Sequence, residues 1–231
     1  MPEIPVIRNI MSINDALAAA VRRQLDAAGV LALNIMASPG AGKTSVIMRT
    51  VETLKSEMTI AALDGDIATV DVEKIARTGI RVALINTGGN CHLDANMMTS
   101  ALSSLDLTGV DLLLVENVGN LICPAAFELG THYNVVIASV PEGDDKPYKY
   151  PAMYRGADVL LLNKIDMLPY QEFDLAYFRH GVEVLNPGLA FLPLSARTGE
   201  GFDAWLDWVR AAVARQRASI APSGKPGVSQ A

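Results

Sequence analysis

Six runs of apolar residues, each as long as a β-strand, set the main constraint on how this chain folds. The first is VLALNIMAS at residues 30–38, and the others are MTIAALDGD, RVALINTGG, VDLLLVENVG, YNVVIASV and ADVLLLNKID. Each run ends in a polar or glycine-bearing stretch, and unbroken apolar runs are typical of strands buried on both faces. Helical patterns such as KTSVIMRTVETLKSE separate several runs. The alternation predicts an α/β fold in which helices flank a mostly parallel sheet.

The two ends of the chain differ from this alternation. INDALAAAVRRQLDAAG has the pattern of an amphipathic helix that begins at an Asn14-Asp15 cap and ends at Gly29. Residues 1–30 are therefore predicted to be a helical extension packed on a single domain of residues 31–215. Residues 216–231 are rich in Ser, Gly and Pro, and we predict a disordered tail there.

Composition narrows the range of partners. A net charge of −6 disfavours sequence-independent nucleic-acid binding, which needs a basic surface. The apolar runs are too short to cross a bilayer, and the N-terminus lacks the pattern of a signal peptide. Two cysteines cannot supply a disulfide framework. We expect a cytoplasmic protein with reduced thiols that binds neither nucleic acid nor membrane.

The first strand is followed by ASPGAGKTS and then by a helical pattern, the context in which a Gly-x-x-x-x-Gly-Lys-Thr phosphate loop is credible. Lys43 is expected to reach the β and γ phosphates, and Thr44 to offer its hydroxyl to Mg²⁺. Ala37 stands where the first glycine is expected, so its backbone must be one that a Cβ tolerates. The alternative is an ordinary glycine-rich turn. The predicted nucleotide contacts of this loop are Gly40, Ala41, Gly42, Lys43, Thr44 and Ser45, and the fold they predict is a three-layer P-loop NTPase.

A second loop indicates which base is bound. Asn163-Lys164-x-Asp166 ends a strand with the spacing of a guanine-reading loop, in which a carboxylate accepts hydrogen bonds from N1–H and the 2-amino group. Adenine has no such donors, and mismatches of this kind support about 10⁴–10⁵-fold discrimination. The alternative is a helix cap after a strand. Ser195 and Ala196 in PLSARTGEGF add an expected backbone contact to guanine O6.

Acidic residues at strand ends are candidates for the magnesium of the nucleotide. Asp66 and Glu116 are predicted to bind Mg²⁺ and, with Lys43, to serve catalysis. ENVGN resembles the Asp-x-x-Gly switch, in which the N–H of Gly119 would contact the γ-phosphate. Asn120 follows in place of a water-orienting glutamine, so we expect slow hydrolysis, at about the 10⁻⁴ s⁻¹ of an unassisted small GTPase.

INTGGNCHLDANMM places Cys91 and His92 side by side after a strand, and Cys123 follows the predicted switch. Two thiolates and an imidazole suit Zn²⁺ or Ni²⁺ and are poor ligands for Mg²⁺. Three ligands are one short of a closed tetrahedral site, so the fourth would be water or a group from a second subunit. The alternative is that the cysteines are buried small apolar residues, because their spacing fits no standard zinc module.

Together these segments resemble the hydrogenase nickel-incorporation GTPases called HypB, of the SIMIBI class of P-loop GTPases. The resemblance covers most of residues 6–210 and is most specific in NCHLDA, ENVGNLICP and EGDDKP. It implies a GTPase that helps deliver Ni²⁺ to the large subunit of a [NiFe] hydrogenase and that forms a homodimer when GTP is bound. It also implies that Cys91, His92 and Cys123 bind Zn²⁺ or Ni²⁺ at the dimer interface. The partners it implies are a second nickel chaperone and the hydrogenase large-subunit precursor.

Two features limit what the resemblance implies. Residues 1–30 contain no His and no Cys, so neither the histidine-rich nickel store nor the N-terminal cysteine motif of some members is expected. Lys146 and Lys149 are candidate contacts to the nucleotide or to a second subunit, or else solvated surface charges. The rival functions are a chaperone GTPase for another metalloenzyme, such as urease or a cobalamin-dependent mutase, and a metal-binding regulator with a structural nucleotide.

Overall fold

The computed structural model describes the backbone of residues 8–65 and 69–220 and the side chains of residues 11–65 and 73–220. The strands in these ranges are β1 (Leu31–Ala37), β2 (Ile60–Asp64), β3 (Arg81–Leu84), β4 (Leu112–Glu116), β5 (Tyr133–Ser139), β6 (Val159–Asn163) and β7 (Ala190–Pro193). The α-helices are α1 (Arg8–Ala28), α2 (Lys43–Leu54), α3 (Thr69–Ala76), α4 (Ala95–Ser104), α5 (Lys146–Lys149), α6 (Pro151–Arg155), α7 (Leu175–Leu185) and α8 (Phe202–Ile220). Short 3-10 helices cover Cys123–Ala126, Val140–Glu142 and Ile165–Tyr170.

The strands form one sheet in the order β3-β2-β4-β1-β5-β6-β7, and every neighbouring pair is parallel. Apolar side chains of the central strand β1 alternate between the two faces of the sheet. Leu31, Leu33 and Ile35 pack with α2 and α8, whereas Ala32 and Met36 face the helices on the other side. On that side α1 and α4 cover one half of the sheet, and α6 and α7 cover the other. The predicted three-layer α/β architecture is confirmed.

The apolar runs predict where the strands lie because burial follows position in the sheet. Every residue of β1, β2, β4 and β6 is buried, as expected for strands covered by helices on both faces. The edge strands β3 and β7 contain no buried residue. Among the described helices, none is long and apolar enough to cross a membrane.

Two predicted boundaries are wrong: the start of the N-terminal helix and the start of the C-terminal tail. Helix α1 begins at Arg8, so Asn14 lies inside it and is not its cap. The Asn14 amide has tertiary partners instead, donating to the Glu128 carbonyl at 2.9 Å and accepting from the Ala95 N–H at 3.0 Å. Gly29 does follow the helix, with a left-handed φ of +74°. At the other end α8 continues to Ile220, so residues 216–220 are helical rather than part of a tail. Residues 221–231 lie outside the described ranges.

Helix α1 is attached to the sheet by polar contacts as well as by apolar packing. Arg22 donates to the carbonyls of Gly130 and Thr131, just before β5. The His132 imidazole accepts from the Ala32 N–H at 3.0 Å and lies 2.9 Å from Asp26, which also accepts from Gln216 of α8 at 2.8 Å. Burial lowers the pKa of His132, which favours the neutral ring that the Ala32 contact requires. These bonds join α1, β5 and α8.

Candidate nucleotide and metal site

The phosphate loop connects β1 to α2, because β1 ends at Ala37 and α2 begins at Lys43. Gly40 and Gly42 have left-handed φ values of +78° and +102°, which L residues adopt only with strain. Ala37 does not, since Lys164 is the one non-glycine residue with a positive φ in the described ranges. The structure thus confirms the expectation that Ala37 tolerates a Cβ.

The first turn of α2 carries two side chains of the candidate phosphate site, Lys43 and Thr44. Gly42 caps the helix without a side-chain hydrogen bond, and the first N–H groups of a helix are groups that can bind an anion. The buried Lys43 ammonium lies 4.0 Å from Oε1 of Glu116, and the Thr44 hydroxyl donates to the same oxygen at 2.8 Å. The parallel pairing of β1 with β4 puts Glu116 beside the loop. The structure therefore brings together three of the residues predicted from sequence.

The Thr44 hydroxyl and the Glu116 carboxylate supply hard oxygen ligands of the kind that Mg²⁺ prefers, so these residues fit that ion. Asp66, the other predicted magnesium ligand, falls outside the described residues. Asp64 lies at the end of β2, is fully buried, and stands opposite Glu116 in the register of β2 and β4.

The predicted base-reading loop packs directly on the phosphate loop. The buried Asn163 amide donates to the Ala41 carbonyl at 2.9 Å, and the Lys164 ammonium donates to the Gly40 carbonyl at 2.6 Å. A Cβ on Gly42 would approach Nδ2 of Asn163 to 2.5 Å, so glycine is required there for a second reason. Asn163 and Lys164 therefore support the phosphate loop directly, in addition to their predicted place in the base pocket.

The alternative interpretation of these residues as a helix cap is wrong. The 3-10 helix Ile165–Tyr170 follows Lys164 without any side-chain capping bond. Oδ1 of Asp166 instead accepts from the buried Ser195 hydroxyl at 2.7 Å, which orients the carboxylate. The Ala196 N–H donates to Asn163 at 3.0 Å. The two predicted segments of the base pocket are thus in contact.

Sequence reasoning missed several residues that support the site. Arg49 of α2 donates to the Ala196 carbonyl at 3.0 Å and holds that loop in place. Glu142 accepts hydrogen bonds from Ser38 of the phosphate loop and, at 2.7 Å, from Ser139 at the end of β5. Burial raises the pKa of Glu142. Glu142 is the first residue of the EGDDKP segment, but the sequence does not reveal that Ser38 and Ser139 are its hydrogen-bond partners.

Lys146 and Lys149 lie on the short helix α5. Lys149 pairs with Asp145 one turn earlier, and that hydrogen bond raises the pKa of the lysine. The Lys146 ammonium lies 5.8 Å from the centre of the Tyr150 ring. These partners are all local, so the structure supports the surface-charge alternative no less than a contact to nucleotide.

Cys91, His92 and Cys123 meet although they lie on two separate loops. The Sγ atoms of the two free cysteines are 2.9 Å apart, and Sγ of Cys91 is 3.6 Å from Nδ1 of His92. One ligand atom from each residue falls within 4.8 Å of the others. Cys91 is exposed and Cys123 partly exposed, so the alternative of buried structural cysteines is wrong. The donor set fits a soft or borderline cation such as Ni²⁺ or Zn²⁺.

The surroundings of the cluster favour a neutral imidazole. His92 stacks on Phe127, with ring centres 3.8 Å apart, and burial lowers the pKa of its imidazole. The hydrogen bond to Cys123 raises the pKa of the Cys91 thiol, which favours the protonated form of Cys91 when no cation is bound. The cluster offers three ligand atoms, one fewer than a closed tetrahedral site needs.

The segment after β4 passes the phosphate loop and leads to Cys123 of this cluster. A Cβ on Gly119 would lie 3.1 Å from the Cα of Pro39, so the predicted switch glycine is packed against the loop. Asn117, which sequence reasoning also missed, is fully buried. Its side chain donates to Asn34 of β1 at 3.0 Å and accepts from the Leu93 N–H, two residues beyond Cys91, at 3.1 Å.

Comparison with known proteins agrees with this geometry. Residues 31–193 match the model of the family described as CobW/HypB/UreG, nucleotide-binding domain. The hydrogenase maturation factor HypB of Rhizobium leguminosarum bv. viciae is 46% identical over 214 residues, which cover 92% of this chain and 72% of that protein.

Two crystal structures of HypB proteins have the same fold. The one from Archaeoglobus fulgidus is 39% identical with a TM-score of 0.83, and the match covers 87% of this chain and 99% of that one. The one from Helicobacter pylori, solved in complex with nickel, is 30% identical with a TM-score of 0.83 over 92% of this chain and 99% of that one. The chain therefore belongs to the CobW/HypB/UreG family of nucleotide-binding domains and, within that family, to the HypB hydrogenase maturation factors.

Proposed function

We propose that this protein is a GTPase that delivers Ni²⁺ to the large subunit of a [NiFe] hydrogenase during maturation. The observation that carries the proposal is the position of the Cys91, His92 and Cys123 cluster. Cys123 follows the strand that ends in Glu116, and the chain between them is packed on the phosphate loop at Gly119. A change at the nucleotide therefore has a short route to the metal ligands.

The nucleotide is held by two sets of groups. Phosphates bind the N–H groups of residues 40–45 and the Lys43 ammonium, with the helix dipole of α2 adding a favourable field. Guanine is read by Asp166, whose carboxylate Ser195 orients. Thr44 and Glu116, and Asp66 by its sequence position, are the proposed ligands of Mg²⁺, which when bound neutralises phosphate charge. Asn120 in place of a glutamine favours slow hydrolysis.

Nickel is the cargo. Cys91, His92 and Cys123 supply three ligands on an accessible surface, so a second copy of the chain can complete the site in a homodimer that forms with GTP. Hydrolysis then loosens the switch segment and favours release to the large-subunit precursor, with a second nickel chaperone as a further partner. Both thiols must be reduced for this role, which suits the cytoplasm. Within the chain we propose residues 31–215 as the GTP-binding domain and residues 1–30 as its extension.

Replacing Lys43 by alanine tests the role of hydrolysis. We expect GTP turnover, measured as phosphate release, to fall by about 100-fold or more, because the charge that stabilises the transferring phosphoryl group is lost. Lys55→Ala at the other end of α2 is the matched control and should turn over GTP normally, since Lys55 is exposed. Undiminished hydrogenase maturation in cells carrying Lys43→Ala would favour the regulator with a structural nucleotide instead.

Replacing Asp166 by asparagine tests how the base is read. An amide donates where guanine also donates, so we expect GDP affinity to fall by about 10²-fold or more. Xanthine carries an oxygen in place of the 2-amino group, so xanthosine diphosphate should bind the variant better than GDP does. Fluorescence competition titration measures both affinities, with Asp203→Asn on the exposed start of α8 as control. An unchanged preference for GDP would remove Asp166 from the base pocket.

Replacing His92 by alanine tests the metal cluster. Loss of a supporting contact alone costs about 10–100-fold in metal affinity, so loss of a ligand should lower the Ni²⁺ affinity by about 100-fold or more. His180→Ala is the matched control, because His180 is exposed on α7. Competition against a chromophoric chelator measures both variants. Equal nickel affinities for the His92 and His180 variants would contradict the proposed ligand set.

A further inference from the structure

Asn120 is attached to the phosphate loop by its main chain. Its N–H donates to the Ala37 carbonyl at 2.8 Å, the last carbonyl of β1 before the loop begins. The preceding residue, Gly119, is the one that packs against Pro39. The backbone at residues 119–120 is therefore held against the phosphate loop and the strand end before it.

The side chain of Asn120 bridges the two loops that carry the metal ligands. Its Nδ2 donates to the Cys91 carbonyl at 3.3 Å, and its Oδ1 accepts from the N–H of Ile122, next to Cys123, at 2.8 Å. An amide is suited to this position because it donates and accepts at once. One side chain thus fixes the main chain at Cys91 relative to the main chain leading into Cys123.

Apolar packing anchors these loops close to the cysteines but not at the sulfur atoms. Leu93 is fully buried and Leu121 is buried, whereas Cys91 is exposed and Ile122 has 65% of its surface accessible to solvent. Exposed segments are held mainly by hydrogen bonds and open readily. The bonds of Asn120 therefore contribute to keeping the two sulfurs at 2.9 Å.

Binding of one cation by Cys91, His92 and Cys123 would require the two loops to hold these ligand atoms at a suitable spacing. The Asn120 amide joins the main chain of one loop to that of the other, so it constrains that spacing. Because the N–H of the same residue donates to the Ala37 carbonyl, this constraint is connected to the end of β1, where the phosphate loop begins.

We propose that Asn120 is a positioning residue that sets the spacing of Cys91 and Cys123 and transmits it to the phosphate loop. The inference rests on the proposed nickel-delivery function and adds to it the residue through which nucleotide and nickel influence each other. It also gives a use to Asn120, which stands where other GTPases have a water-orienting glutamine. Its side chain serves the metal loops rather than the attacking water.

The test compares Asn120→Ala and Asn120→Ser with Asn96→Ala, a matched change at an exposed position of α4. Ni²⁺ affinity is measured by chelator competition in nucleotide-free, GDP-bound and GTP-analogue-bound full-length protein. Alanine removes both side-chain hydrogen bonds, and we expect nickel affinity of the nucleotide-free protein to fall about tenfold. The ratio of nickel affinities between the two nucleotide states should move towards one. Serine keeps an acceptor for the Ile122 N–H but cannot reach Cys91, so it should retain the fold of the loop yet lose the ratio.

Further readouts separate positioning from a general loss of structure. The urea midpoint of both Asn120 variants should match that of the wild type, and their metal-free GDP affinity should stay within about twofold of the wild-type value. The thiolate-to-nickel absorption band of the variants should differ from that of the wild type. Wild-type nickel affinity in all three states of both variants would overturn the proposal. A wild-type protein whose own nickel affinities are equal in the GDP and GTP-analogue states would instead refute the nucleotide coupling in the proposed function. In that event the nickel affinity of nucleotide-free Asn120→Ala still decides the positioning role.

Discussion

The parallel direction of the seven described strands determines where the candidate functional groups lie. Loops that follow parallel strands emerge at one edge of the sheet, and the strand order sets β4 and β5 on either side of β1. The phosphate loop after β1 is therefore flanked by the switch segment after β4 and by Glu142 after β5. The base-reading loop after β6 and the loop of Cys91 after β3 approach the same edge.

Carbonyl groups in the phosphate loop and just before it make this proximity specific. The carbonyls of Gly40 and Ala41 accept hydrogen bonds from Lys164 and Asn163, and the carbonyl of Ala37 at the end of β1 accepts one from Asn120. We propose that N–H groups of this loop and of the first turn of α2 bind the phosphates. A nucleotide bound there would act on a loop that is bonded to Asn163 and Lys164 and that begins beside the bond to Asn120, whose side chain contacts the Cys91 carbonyl. These contacts are the physical basis of the proposed coupling.

How much of this could be predicted from sequence depended on whether a residue's role is local. The strands were predictable because burial on both faces leaves unbroken apolar runs, and the phosphate and base loops because their spacing is fixed by the ligand. The start of α1 was not, because Asn14 resembles a cap but bonds to Glu128 and Ala95 far along the chain. The roles of Asn120, Glu142 and Arg49 were hidden for the same reason. The sequence predicts that the loops carrying Cys91 and Cys123 are neighbours, but only the structure gives the distance between the two sulfur atoms.

The central claim is that nickel and nucleotide affect each other's binding through one connected set of loops. The most direct measurement is the affinity of wild-type protein for GDP and for a GTP analogue, with and without saturating Ni²⁺. Linkage requires nickel to change the ratio of these two affinities by the same factor by which the two nucleotides change nickel affinity, typically about 5–150-fold. Nucleotide affinities that are identical with and without nickel would contradict the account.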